Sequence, residues 1–214
     1  MIHAYDKTYL KNARSALGWM LDYAVHDLGY DLEAYFDLFI QSGVAKEFEL
    51  GNCSFLAGRS GVELTYDVLF HMGRNVPTQP PRYTVNRSEE YWTGWALAYY
   101  QWFTALSFAE IISVIPIQEV RSLYIPYHEM DISHFVDYMN NQYQRAYPET
   151  ELKRRRCHLG LSQRALSELS GVPLRTIQQY EQRQKNINKA QAEYVILLAK
   201  TLSCEPGDLM ERVG

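Results

Sequence analysis

Arg175, Gln178 and Gln179 lie within one short stretch near the end of the chain, and each carries a forked hydrogen-bonding group. On a helix, positions three and four apart share a face. Arginine can bond guanine O6 and N7 together, and glutamine can do the same to adenine N6 and N7. Such a face suits base edges in a major groove. Chemistry elsewhere is thinner. His128-Glu129-Met130-Asp131-Ile132-Ser133-His134 gathers polar side chains, with His71 a further candidate. It is not His-Glu-x-x-His, and an interval of six puts the two histidines on different helix faces, whereas metal ligands must converge. Gly58-Arg59-Ser60-Gly61 has no following Lys-Ser/Thr and no preceding strand, so it is turn chemistry and not a phosphate loop. Cys53, Cys157 and Cys204 are far apart and form no Cys-x-x-Cys, which points to a reducing compartment. Cys157 and Cys204 fall in helical patterns and are expected to be small buried hydrophobes. No Ser/His/Asp arrangement can be read. The expectation is no catalytic residue, no metal and no cofactor.

The Gln and Arg face needs a scaffold, and the flanking residues supply one. Ser162 can cap a helix start. Leu166 and Leu169, three apart, are expected to form that helix's buried stripe. Ser170-Gly171-Val172 breaks the period, and glycine accepts the positive φ of a sharp turn. Pro173 lacks an N–H, which costs nothing at the start of a second helix. Ile177 and Tyr180 give that helix an inward face, leaving Leu174, Arg175, Gln178 and Gln179 outside. Two short helices joined by a tight turn are a helix-turn-helix.

The stretch resembles the lambda-repressor-like family (Cro/C1 or Xre type). The resemblance runs from about Thr150 to Val213 and includes a basic first helix in Leu152–Arg156, then Leu159-Gly160-Leu161-Ser162-Gln163. Leu197–Cys204 and Asp208-Leu209-Met210 look like its fourth and fifth helices, with Asn188 and Gln191 as a capping box for the fourth. The resemblance implies that Gln163 meets a phosphate and that Leu174, Arg175, Gln178 and Gln179 form the base-reading face. Thr176 is placed to touch backbone, and Arg183 and Lys185 complete the DNA-binding set. Arg156 and Glu181 fall where the family has an ion pair bracing the first helix against the third. There are departures: Pro173 replaces a polar cap, Leu174 replaces a base-reading glutamine, and Gln182-Arg183-Gln184-Lys185 lacks the usual turn glycine.

Charge divides the chain in the same place. Residues 1–148 carry 10 Lys+Arg against 17 Asp+Glu, whereas residues 149–214 carry 11 against 8. Between Leu152 and Lys189 the balance is 9 against 2, so the positive charge lies on the helix-turn-helix, where phosphate contacts would need it. A length of 214 residues accommodates two cores. No apolar run approaches a membrane span, and Met1–Asp6 lacks the pattern of a signal peptide.

Residues 1–148 hold 27 of the 29 aromatics and read as helices throughout. The periodicity predicts helices over about Thr8–Leu28, one capped by Asp31 with Leu32, Tyr35, Phe36 and Phe39 inward, and one over Val62–His71 capped by Ser60. Lys46–Leu50 adds a turn, and Gly51–Ser54 reads as a loop. Gly73–Asn86, with three prolines, is the one long loop. Ser88 then caps a helix carrying Trp92, Trp95, Tyr99, Trp102 and Leu106, a stripe that is either core or a self-association seam. Large aromatics first fill interiors, which favours core. Phe108–Val114 and Ile117–Leu123 follow, with Ile125-Pro126-Tyr127 a break. Asp131 caps a last helix with Ile132, Phe135, Met139, Tyr143 and Ala146 on one face, ended by Pro148.

The expectation is an all-α, cytoplasmic protein. It has an aromatic-rich helical domain over 1–148, for oligomerisation or for partner or ligand binding. A five-helix lambda-repressor-like helix-turn-helix domain follows over 149–214. It would bind double-stranded DNA as a homodimer and regulate transcription, as a repressor, without enzymatic activity and without a membrane. A second reading is an antitoxin whose N-terminal domain neutralises a toxin while the C-terminal domain represses the operon. A third gives the N-terminal domain an enzymatic role.

Overall fold

The computed structural model describes residues 3–76, 80–82 and 87–211, and among these there are helices and no strands. Contacts divide the chain into two compact units, residues 2–142 and residues 143–214.

In the first unit, α1 (Leu10–Asp22) follows a 3-10 turn at Lys7–Tyr9 and continues into a π turn at Tyr23–Asp27. Next come α2 (Leu32–Gln41), α3 (Val44–Glu49), α4 (Cys53–Leu56) and α5 (Gly61–His71). The region read as a loop at Gly51–Ser54 therefore contains the start of α4, because the Asn52 side chain accepts from Ser54 N and starts a helical turn. Asp31 caps α2, and Ser60 and Glu63 form a capping box at α5. Residues 77–79 and 83–86 of the expected long loop lie outside the described residues.

The centre of the unit is α6 (Glu89–Thr104), capped by Ser88, with α1 laid against it. Their approach is very close: a Cβ at Gly94 would sit 2.5 Å from the Leu17 carbonyl oxygen. Such contact leaves the two backbones with no side chain between them. Because α6 is buried on nearly every side, the Trp92–Leu106 stripe does not behave as one seam. Trp92 is buried against Phe135 at 5.4 Å and Tyr124 at 5.9 Å, and Trp102 is buried with its indole N–H on the Tyr5 carbonyl. Trp95 and Tyr99 are half-buried, and Arg14 lies over both rings. Burial pushes the Arg14 pKa down, and the ring faces give its charge a partner.

A second aromatic cluster joins Phe36, Phe39, Phe48 and Phe108, with centroids 5.3–6.0 Å apart. Phe108 opens α7 (Phe108–Val114), whose capping box is Ser107 with Glu110. Pro116 stands at the start of α8 (Ile117–Ser122). The expected break at Ile125-Pro126-Tyr127 is instead a short helix, α9 (Tyr124–Tyr127). Proline is tolerated there because it lies within the first turn, where an N–H has no intrahelical acceptor. Then α10 (Ile132–Ala146) buries Phe135, Val136 and Met139, whereas Ala146, read as inward, is exposed.

In the second unit, α11 (Glu151–His158) is capped by Thr150, followed by α12 (Gln163–Ser170), α13 (Leu174–Glu181) and α14 (Ala192–Thr201). The expected fifth helix is a 3-10 turn, Pro206–Leu209. One core joins Leu152, Leu166, Val172, Ile177, Tyr180 and Leu198. Two expectations fail here. Leu169 is 65% exposed while Leu166 is fully buried, because the residue that shares the Leu166 face is Ser170, four positions on. Cys157 is exposed, on the outer face of α11, and Cys204 is half-buried at the core margin. Among the described residues, no helix is long and apolar enough to cross a membrane.

Candidate nucleic-acid interface

The turn between α12 and α13 is held by the serines around its glycine. Gly171 takes φ 73°, the left-handed conformation that glycine adopts without a Cβ clash. Ser170 Oγ donates to the Leu166 carbonyl at 2.6 Å and accepts from Val172 N at 3.2 Å. Ser167 Oγ donates to the Val172 carbonyl at 2.7 Å. These bonds satisfy backbone groups that the tight turn would leave without partners. At the other end of α12, Ser162 Oγ accepts from Ala165 N at 3.0 Å. Pro173 occupies the cap position of α13, and its carbonyl accepts from Thr176 N and Ile177 N at 2.9 and 3.2 Å.

With Ile177 and Tyr180 buried, the outer side of α13 is set. Arg175 is exposed, and Leu174, Thr176, Gln178 and Gln179 are half-buried. The far end of the helix is anchored by an ion pair. Arg156 Nε and Nη2 donate to the two carboxylate oxygens of Glu181 at 2.7 and 2.8 Å, and Arg156 Nη1 donates to the Leu161 carbonyl at 2.6 Å. Both side chains are nearly buried, at 10% and 2% exposure. The bond to Glu181 raises the guanidinium pKa above its ordinary value despite burial. Gln163 Nε2 donates to Glu181 at 2.8 Å, so the residue that the resemblance sets against a phosphate is positioned by the same carboxylate.

The basic stretch is less positive than its residue count. Lys153 pairs with Glu149, Arg154 with Glu151, Arg155 with Asp208, Arg164 with Glu168 and Arg183 with Glu211. Arg175, Lys185 and Lys189 have no carboxylate partner among the described residues.

Arg183, expected in the DNA-binding set, bonds the domain's own backbone and a carboxylate. Its Nη1 donates to the Pro148 carbonyl at 2.9 Å, and Nη2 to the Tyr147 carbonyl at 3.1 Å and Glu211 at 3.2 Å. Asn188 also departs from expectation. Gln191 caps α14 without a side-chain bond, and Asn188 exchanges two hydrogen bonds with the backbone of Glu211. The sequence hinted at Arg183 through its missing turn glycine; nothing local pointed to the Asn188 pairing.

Four short helices share one core, a glycine turn is laced by serines, and a buried ion pair braces the helix that carries an outward Arg/Gln face. A helix-turn-helix family model matches residues 152–209. Residues 152–209 are a helix-turn-helix domain of the Cro/C1 type. The domain implies DNA binding. The match does not extend to residues 1–151. No curated protein and no solved structure matches the chain.

Proposed function

We propose that the protein is a sequence-specific transcriptional regulator that represses by occupying an operator through α13. The observation that carries this is the outward set Arg175, Gln178 and Gln179 on a helix whose inner face is fixed by Ile177, Tyr180 and the Arg156–Glu181 pair. Side chains on a rigid element can be held to the geometry that base edges demand. Lys185 and Lys189, without a carboxylate partner among the described residues, supply phosphate contacts. Binding as a homodimer follows from the resemblance, since related domains read paired half-sites about one helical turn apart. The N-terminal unit, acidic and aromatic, works by binding and not by catalysis, toward a second copy, a ligand or a protein.

Selection from a random duplex pool tests the proposal. A shared motif with two-fold symmetry supports a dimeric reader, whereas recovery of unrelated sequences removes the regulator reading.

A further inference from the structure

Arg183 holds a backbone conformation that its side chain disfavours. Its φ is 54°, in the left-handed region, which it shares with Ala105 and Ser203 among the described non-glycine residues. An L side chain there carries a steric cost that glycine does not, and such strain persists where surrounding contacts over-determine it. The side chain is 27% exposed, and its guanidinium bonds the Tyr147 and Pro148 carbonyls and the Glu211 carboxylate. Glu211 is itself fixed: its other carboxylate oxygen accepts from Glu151 N at the start of α11 at 2.8 Å. Its backbone N–H donates to Asn188 Oδ1 at 2.9 Å. Arg183 lies two residues beyond Glu181, the last residue of α13, and its own N–H donates to the Tyr180 carbonyl at 3.0 Å.

One side chain thus joins the end of α13 to the segment by which the chain reaches α11. A phosphate contact would leave this cation facing solvent and would not need a strained backbone. We propose that Arg183 is a positioning residue for DNA recognition: it clamps the Tyr147–Pro148 segment and Glu211 to the C-terminal end of α13 and so sets the angle at which that helix is presented. Lysine, with one ammonium group, cannot reproduce a fork spanning two carbonyls and a carboxylate. Glycine removes the clamp while relieving the strain, so Arg183→Gly retains a backbone that folds.

The inference rests on DNA binding by the helix-turn-helix domain. The experiment uses the full chain as wild type, Arg183→Gly and Arg183→Lys, titrated against a selected duplex and a shuffled duplex over a range of salt. Amide exchange over residues 147–153 is followed alongside. In both variants, we expect affinity for the selected duplex to fall by about tenfold, one base contact's worth of discrimination. Affinity for the shuffled duplex and the salt slope stay as in wild type, and exchange over 147–153 rises. A slope reduced by about 0.9 in Arg183→Gly, with rescue by Arg183→Lys, marks a phosphate contact and overturns the clamp. Raised exchange with unchanged selectivity marks a purely structural staple and overturns it equally. Failure of the wild type to bind duplex defeats the underlying reading instead, and is distinguishable from both.

Discussion

Gln163 and Arg156 share the carboxylate of Glu181, each donating to it at about 2.8 Å. One buried anion therefore orients the side chain that opens α12, the arginine of α11 and the end of α13. Gln163→Ala removes one hydrogen bond to Glu181 together with the amide that the resemblance sets against a phosphate. Affinity for every duplex is expected to fall by a similar factor, about fivefold for a loss near 1 kcal/mol. Titration of a selected and a shuffled duplex at one salt checks this; a loss confined to the selected duplex would assign Gln163 to base reading.

Among the described residues, Arg156→Ala leaves the buried Glu181 with Gln163 as its one side-chain partner. The expected cost is about 3–5 kcal/mol. For a domain of this size that lowers the unfolding midpoint of the C-terminal unit by more than about 10 °C. Arg156→Met with Glu181→Leu removes both charges and is expected to recover most of the loss. A thermal scan in which Arg156→Ala unfolds as wild type does would contradict the brace.

Salt dependence follows from the charge pairing. Among the described residues, six of the basic side chains between Leu152 and Lys189 have a carboxylate partner, and Arg175, Lys185 and Lys189 have none. Two phosphate contacts per domain, from Lys185 and Lys189, give a slope of log K against log salt of about −1.8. Lys185→Ala is expected to reduce its steepness by about 0.9. A far steeper wild-type slope would show that exposed pairs such as Arg164–Glu168 exchange their carboxylates for phosphate on binding.

In the N-terminal unit, Glu49 accepts from Phe108 N at 2.6 Å. Burial raises its pKa more than that bond lowers it. The folded unit therefore holds this proton to a higher pH than the unfolded chain does. The group's stabilising contribution is complete below the ordinary glutamate value and is lost as pH rises through the raised one. Glu49→Gln keeps an acceptor for Phe108 N and removes the ionisation. It is expected to flatten the stability profile across that window and to leave the variant slightly more stable at neutral pH. Because the carboxylate is only half-buried, the effect is small. Denaturation at a series of pH values reads it, and a variant with the wild-type slope would contradict the account.

The parts of the fold legible in the sequence are those written locally. Ser60, Ser88 and Ser162 cap helices because a side-chain oxygen reaches an amide only three residues away. Gly171 marks its turn for an equally local reason. Leu169 misled because a spacing of three was read as inward on a helix whose buried face is Leu166 and Ser170, a spacing of four. The Trp stripe was legible as core, with Trp92, Trp102 and Leu106 buried, but heptad spacing describes one face and α6 is buried on nearly every side. Asn188 bonds a residue 23 positions later, and Arg183 bonds two that precede it by 35 and 36. Pairings over such separations leave no periodic trace. For the same reason the outward face of α13 was legible, while the bonds that Arg183 makes behind it were not.

Competition between a selected duplex and a shuffled duplex of equal composition, at one salt concentration, tests the central claim most directly. The full chain should prefer the selected duplex by about a thousandfold or more, as specific readers do. Gln179→Ala should lose about 1–3 kcal/mol of that preference at a single base position and keep the wild-type affinity for the shuffled duplex. Equal binding of both duplexes by the wild-type chain would contradict sequence-specific reading by α13.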